Sequence, residues 1–297
     1  MPLVSVIITS HNYGRFLADA IRSAQLQTLN DVEIVVVDDG STDDTVEVAQ
    51  TLGATLIRQE QRGPAAARNT GIAATDSKYI ALLDADDKWH QNKLELQVVA
   101  MKGHGLALCH TDGVLLHGDG GEERRSRREC PPERGCPLAH LLPGRRIYAS
   151  SVLMDRELLA RTGKFDEELT RFDDVDMWYR LGVYGDFKFI RDRVFKHRVH
   201  GGNLATRASC DGKLLVLRER VLARWDVLAG RFEAGVRAKY HRLLCREIAL
   251  CYSDEGRRLA RVGGRVKALG AHGRAIAAYP WSPRLYARLL VTLVAGR

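Results

Sequence analysis

An alternation within the first 85 residues constrains this chain most: four short apolar, β-branched runs separated by three stretches of helical periodicity. Residues 3–9 (Leu-Val-Ser-Val-Ile-Ile-Thr) read as a strand buried on both faces. Turn residues 10–14 follow, then a helix to about Leu26 with Phe16, Leu17, Ala20, Ile21 and Ala24 on one stripe. Residues 32–37 form a second strand that stops at Asp38-Asp39-Gly40. Ser41 to Asp44 then open a helix to about Thr51, because short polar side chains accept from orphan helix N–H groups. A third strand is expected near 54–58, a helix over 64–74 and a fourth strand over 79–83. Strands alternating with helices predict a parallel α/β sheet.

Beyond Asp87 the pattern loosens. It predicts a helix over 91–101, strands over 107–116 and 148–154, a helix over 173–181 and strand-like alternation across 187–199. Residues 117–137, rich in Gly, Pro and Arg, are expected as a mobile surface loop. From about 209 the chain is helical in character, broken at Gly263-Gly264 and Pro280. The expected division is an α/β domain over 1–205 and a basic helical region over 206–297, with no internal repeat.

With 45% hydrophobic and 28% charged residues, the 297-residue chain has the composition of a soluble globular protein. No apolar run approaches the ~20 residues of a membrane span. No basic segment precedes the N-terminal apolar stretch, so no signal peptide is expected and the predicted location is cytoplasmic. Six cysteines without a CxxC pair point to free thiols rather than zinc. Of 45 Lys and Arg, 19 follow position 206, against 7 of 37 Asp and Glu. That asymmetry fits an anionic partner surface, or equally an arginine-rich solvated face. Nucleic acid is not expected, since no recognised binding fold accompanies the charge.

Acidic clusters close two of the strands, at 36–41 and 82–87. Ligands of open α/β sheets bind at such strand ends. Carboxylates this dense repel one another, and a divalent cation bridging to phosphates relieves the conflict. Asp-rich turns also occur as simple caps. Neither GxGxxG after the first strand nor GxxxxGK[ST] is present, which argues against a nicotinamide dehydrogenase or a P-loop NTPase. A nucleotidyltransferase would need a Gly-rich, basic N-terminal loop that this chain lacks.

Together these segments resemble a known family. Val4 to Tyr13, Ile34 to Asp43, Gly63 to Gly71 and Tyr79 to Asp87 match its motifs in order. Gly163 to Glu167, Phe172 to Leu181 and Arg198 to Asn203 continue the match, so the resemblance covers about residues 3–205. It is to family 2 glycosyltransferases of the GT-A fold, a mostly parallel sheet flanked by helices, here with a helical C-terminal extension. The resemblance implies that Thr9, His11 and Asn12 contact the uridine and that Asp39 accepts from the base. It puts Arg68 near the nucleotide or its phosphates and Asp84 at the ribose. Asp86 would ligate Mn²⁺ or Mg²⁺ on the diphosphate, Asp87 extends that cluster, and His200 completes the metal or diphosphate site in some members. Asp174 would be the general base, open to the acceptor and not deeply buried, with Asp173 and Asp176 as alternatives.

Two positions depart from the pattern: Asp173 replaces the usual Glu, and His11 stands where an aromatic is common. His11 could instead be a turn residue bonded to its own backbone, and His200 a loop histidine without a metal role. The implied activity is inverting, metal-assisted transfer of one sugar from a nucleotide-sugar, UDP favoured, to an acceptor hydroxyl. Glycan, cell-envelope or glycolipid synthesis is the implied setting. The alternative is an inactive nucleotide-sugar-binding partner subunit. Residues 279–294 read as a short helix after Pro283 whose Trp, Tyr and Arg suit a bilayer interface, here the inner face of the membrane. Packing on the catalytic domain or in a homo-oligomer is the other reading.

Overall fold

The N-terminal apolar run forms β1 (Val4–Ser10), and its alternating side chains feed two separate cores. Val4, Val6 and Ile8 pack under α1 (Gly14–Gln25) with Leu17, Ala20 and Ile21, while Ile7 points to the other layer. A computed structural model of the chain describes residues 1–118, 120–124, 134–135, 137–141, 147–169, 172–201, 219–223, 225–230, 232–261 and 263–294. It divides into two compact units, Met1–Gly201 and Gly202–Arg297.

In the first unit β1 pairs in parallel with β2 (Val32–Asp39) and β4 (Tyr79–Asp84), and β2 with β3 (Thr55–Gln59). α2 (Thr45–Thr51) and α3 (Pro64–Ala73) make the crossovers. α3 lies close on the sheet because Gly71 has no side chain: a Cβ there would sit 2.4 Å from Ile7 Cγ2. α2 begins later than the polar run suggested. Asp43, not Ser41 or Asp44, accepts from the Thr45 N–H, while Ser41 Oγ accepts from the Asn12 N–H.

The sheet continues past β4 with β5 (Lys88–Trp89), α4 (Lys93–Met101) and β6 (Leu106–Leu116) entering in chain order. Inside the stretch expected as loop, β7 (Glu122–Arg124) pairs antiparallel with β6, and β8 (Arg134–Gly135) with the last strand. Residues 125–133 lie outside the described residues. After α5 (Pro137–His140) come β9 (Val152–Asp155), α6 (Arg156–Thr162), α7 (Asp173–Leu181) and β10 (Asp186–Arg198). The strand order is β3-β2-β1-β4-β9-β6-β10-β5, with β9 antiparallel to both neighbours, so the sheet is mixed. The strand expected over 148–154 starts only at Val152. Before it a 3₁₀ turn (Ala149–Ser151) gives the Ser150 and Ser151 carbonyls to the Trp89 indole N–H and the Gln97 amide.

β1, β2 and β4 end at one edge, presenting Ser10, Asp39 and Asp84. β10 runs parallel to β6 with register shifts around Ile190, Arg193 and Phe195, and its last residues reach the turn after β4. In the second unit, Ala234–Arg261, Arg265–Ala278 and Pro283–Val294 are helices around a small core of Ala249, Ala275 and Leu285. Among the described residues no helix is long and apolar enough to cross a membrane. Cys109, Cys245 and Cys251 are outside any disulfide; Cys130, Cys136 and Cys210 lie outside the described residues.

Candidate active site

The turn after β1 meets the end of β2 through His11. Its Nδ1 lies 2.8 Å from the Asp39 carbonyl, which can only accept, so this nitrogen carries the proton. Nε2 is then the acceptor facing the Asn12 and Gln61 side-chain amides. Asn12 adopts φ 57°, a left-handed conformation Asn tolerates, and its Oδ1 accepts from the Thr42 N–H. Thr9 sits in register with Val37 and Asp84, between the two acidic strand ends.

Asp39 itself is buried and already accepts three bonds. The Gln59 amide and the Arg62 N–H donate to Oδ1, and the Gly63 N–H donates to Oδ2 at 2.8 Å. Gly63 has φ 92°, a value that favours glycine, so this loop is built to turn its N–H onto Asp39. A carboxylate has about four acceptor sites, which leaves Asp39 one for a ligand. Its neighbour Asp38, which the sequence reading left without a role, shapes the loop by accepting from the Ser41 N–H and Arg58.

At the end of β4 the Asp84–Asp87 turn separates its three acids by environment. The Asp84 N–H donates to Ser150 Oγ, so the 3₁₀ turn before β9 fixes the strand end. Burial pushes the Asp84 carboxyl up, against the pull of Arg68. Asp86 Oδ2 lies 3.0 Å from His200 Nε2. Burial, then the charges of Asp87 and Asp84, push the Asp86 carboxyl up to about 8. Burial beside Arg15 and Arg198 lowers His200, keeping its imidazole neutral. Asp87 differs from the expectation of a ligand-contacting acid: it is 1% exposed and accepts from His197 Nδ1 and the Arg198 N–H, each at 3.0 Å. It ties the turn to β10.

β10 supplies residues that sequence reasoning passed over. Burial lowers the His197 imidazole, but the Asp87 carboxylate outweighs it and raises it. The ring packs at a tilt of 43° on Tyr148, with centroids 4.7 Å apart. The Arg198 guanidinium donates to the Asp86 carbonyl and to Asp19, and lies over Phe16 at 4.8 Å. Arg15 covers the same ring at 4.4 Å, and His200 packs beside it. The available signal was the basic run His197-Arg198-Val199-His200 closing a strand.

Arg68, expected near the nucleotide or its phosphates, is buried and committed elsewhere. It donates Nη1 to Asp173 and Nη2 to Asp84, 3.2 Å away, joining the β4 end to the start of α7. Burial would lower this guanidinium, but Asp173 and Asp84 raise it. Asp173 therefore makes a supporting contact despite being one methylene shorter than Glu. Asp176 pairs with Arg180 at 2.7 Å. Asp174 is half-buried and accepts only from the Val175 N–H among the described residues. Burial, then the Asp173 charge, push its carboxyl up to about 7.

Asp86 and His200 bring an oxygen and a nitrogen within 3.0 Å of each other, as Asp87 and His197 do behind them. Among the described residues no set of three or more such side chains is poised for a metal. The strand-end edge thus carries one spare acceptor on Asp39, an acid–imidazole pair at Asp86 and His200, and at Asp174 a carboxyl of near-neutral pKa.

Known proteins resemble this chain in sequence and in fold. An uncharacterized glycosyltransferase of Rickettsia prowazekii is 29% identical over 218 residues, covering 70% of this chain and 67% of its own length. Of some longer relatives the chain spans only 34%. The crystal structure of S. aureus TarS in complex with UDP-GlcNAc aligns with a TM-score of 0.71 and 17% identity, over 98% of this chain and 87% of that one. A Pyrobaculum calidifontis mannosyltransferase in complex with GDP-Man and Mn²⁺ aligns at 0.60 with 20% identity, over 99% and 80%. These likenesses give the fold, the GT-A type. The sequence profile of glycosyl transferase family 2 matches residues 5–158, and the chain is a glycosyltransferase belonging to that family.

Proposed function

We propose that this chain transfers one sugar, with inversion, from a nucleotide-diphospho-sugar to an acceptor hydroxyl, with Asp174 as the general base. The observation that carries the reading is the link made by Arg68: one guanidinium ties the acidic end of β4 to the acids of α7, so the donor's diphosphate end and a free carboxyl share one frame. UDP is the favoured nucleotide, with His11, Asn12, Thr9 and the remaining acceptor site of Asp39 around the base and Asp84 at the ribose. TarS is crystallised with UDP-GlcNAc, which supports a UDP-sugar; the GDP-Man of the mannosyltransferase keeps other nucleotides in the test.

Asp86 and His200 suit Mn²⁺ or Mg²⁺, because an oxygen and a nitrogen lie 3.0 Å apart beside two further acids whose repulsion a cation would relieve. When bound, the metal would stabilise negative charge on the leaving diphosphate. Arg68 holds Asp84 and Asp173 in place, and Asp87 with Arg198 fixes the turn that carries Asp86. Asp174 Oδ takes the acceptor hydroxyl proton as that oxygen attacks the anomeric carbon from the face opposite the diphosphate. A base near neutral pKa serves this best, since it is part ionised and still takes up a proton readily. Glycan, cell-envelope or glycolipid synthesis is the setting we infer for such an acceptor.

Calorimetric titration with UDP, GDP and TDP, with and without Mn²⁺, followed by UDP-sugar hydrolysis, tests the reading. Metal-dependent UDP binding with turnover supports it. UDP binding without hydrolysis or transfer on any donor would instead favour an inactive partner subunit.

A further inference from the structure

From Gly256 to Arg297 the chain contains no Asp or Glu, yet nine Lys and Arg. The helix Pro283–Val294 within this stretch turns Leu285 into the core of its unit and leaves its apolar stripe outside. Tyr286, Leu290, Val291 and Val294 are exposed at helical spacing, with Val294 at 68%, and Trp281 just before the helix is 83% exposed. Val266, 84% exposed, adjoins them, because the neighbouring Arg265 donates to the Leu293 carbonyl at the end of that helix. Arg265, Lys267 and Arg284 are exposed along the edges. Contiguous apolar surface of this kind marks an interaction site.

The chemistry of the patch selects its occupant. Aliphatic side chains lie between aromatic ones that carry a polar edge, and Arg265, Lys267 and Arg284 stand exposed beside them, while Asp254 pairs with Arg288 of the same helix. A second copy docked symmetrically would set the same cations against each other. A layer of anionic headgroups over acyl chains answers each element: Trp281 and Tyr286 sit at headgroup depth, Leu290, Val291 and Val294 at the acyl boundary, and the cations meet phosphate. We propose that this helix lies in the plane of an anionic phospholipid surface and docks the chain there. The inference does not depend on the sugar-transfer reading.

Flotation of the full chain with vesicles of phosphatidylglycerol and phosphatidylcholine, against phosphatidylcholine alone, tests it. The protein should float with the anionic vesicles, less so as salt rises. Leu290→Glu with Val294→Glu should weaken that binding about tenfold or more, since two apolar side chains no longer leave water. Arg284→Glu with Lys267→Glu should weaken it on anionic vesicles too. All four positions are exposed, so circular dichroism, melting temperature and UDP binding should stay as in the parent. Absence of flotation on anionic vesicles, or equal flotation on phosphatidylcholine alone, would overturn the proposal. So would a parent chain that is dimeric by light scattering and made monomeric by Leu290→Glu with Val294→Glu, which would give the face to a second copy.

Discussion

Three acids within the first turn of α7 fall into two electrostatic states. Asp173 is neutralised by Arg68, Asp176 by Arg180, and Asp174 alone keeps a carboxyl lifted toward neutrality by burial and by Asp173. The helical spacing already separated Asp174 from the other two, since residues three apart share a face and the one between does not. It could not reveal that a residue 105 positions away occupies Asp173. Asp174→Asn should lower kcat by ~10²–10⁴ while leaving UDP affinity intact by calorimetry. In the parent, kcat/KM should fall with pH below about 7, because protonating a carboxyl raised to that value removes the base. A flat acid limb would assign the proton transfer elsewhere. At His200, exchange for Ala should weaken Mn²⁺-dependent UDP binding roughly 10–100-fold and leave metal-free binding unchanged. Equal loss with and without metal would make His200 a packing residue beside Phe16.

At the scale of elements, the βα alternation of the first 85 residues was legible because the apolar, β-branched runs of β1, β2 and β4 and the apolar stripe of α1 carry strong local signals. The segment from Tyr148 to Met154 was not, since its turn is set by distant side chains on Trp89 and Gln97 that take its carbonyls. Two elements lend themselves to direct tests. Gly71→Ala should cost about 1–3 kcal/mol by urea unfolding, because its Cβ would press on Ile7 between α3 and β1. It should also weaken UDP binding, since α3 carries Arg68. At the start of α4, Lys93 is fully buried over the Trp89 ring and donates to Gln97 at 2.6 Å. Burial pulls its ammonium down to about 7. Between that value and the ordinary one the unfolded chain holds a proton the folded chain lacks, so Lys93 makes stability rise with pH over this window. The parent should gain stability from pH 7 to 9 relative to Lys93→Met; equal slopes would show that Lys93 is not desolvated.

On the scale of the whole molecule, the site draws on residues from Thr9 to His200, and the contacts that close it join segments far apart in the chain. Asp87 to His197 spans 110 positions and Arg68 to Asp173 spans 105. A sequence read segment by segment supplies the ends of such pairs but not the pairing, which depends on β9 entering between β4 and β6 and on β10 reaching past β6. That is why the acids were visible beforehand and the ties among them, Arg198, His197 and Ser150, were not. The Arg68–Asp173 pair makes this dependence measurable. Arg68→Met leaves buried carboxylates without their cation and should cost about 3–5 kcal/mol in unfolding free energy. Asp173→Asn frees one side of the guanidinium and should cost less, because Asp84 still accepts from it. Once Arg68 is Met, Asp173→Asn removes an uncompensated buried charge and should be neutral or stabilising. The double variant should therefore be more stable than the sum of the single losses by about 0.5–3 kcal/mol, the range found for residues in direct contact. Strictly additive losses would mean that β4 and α7 are held together by packing of their cores, with the ion pair a bystander.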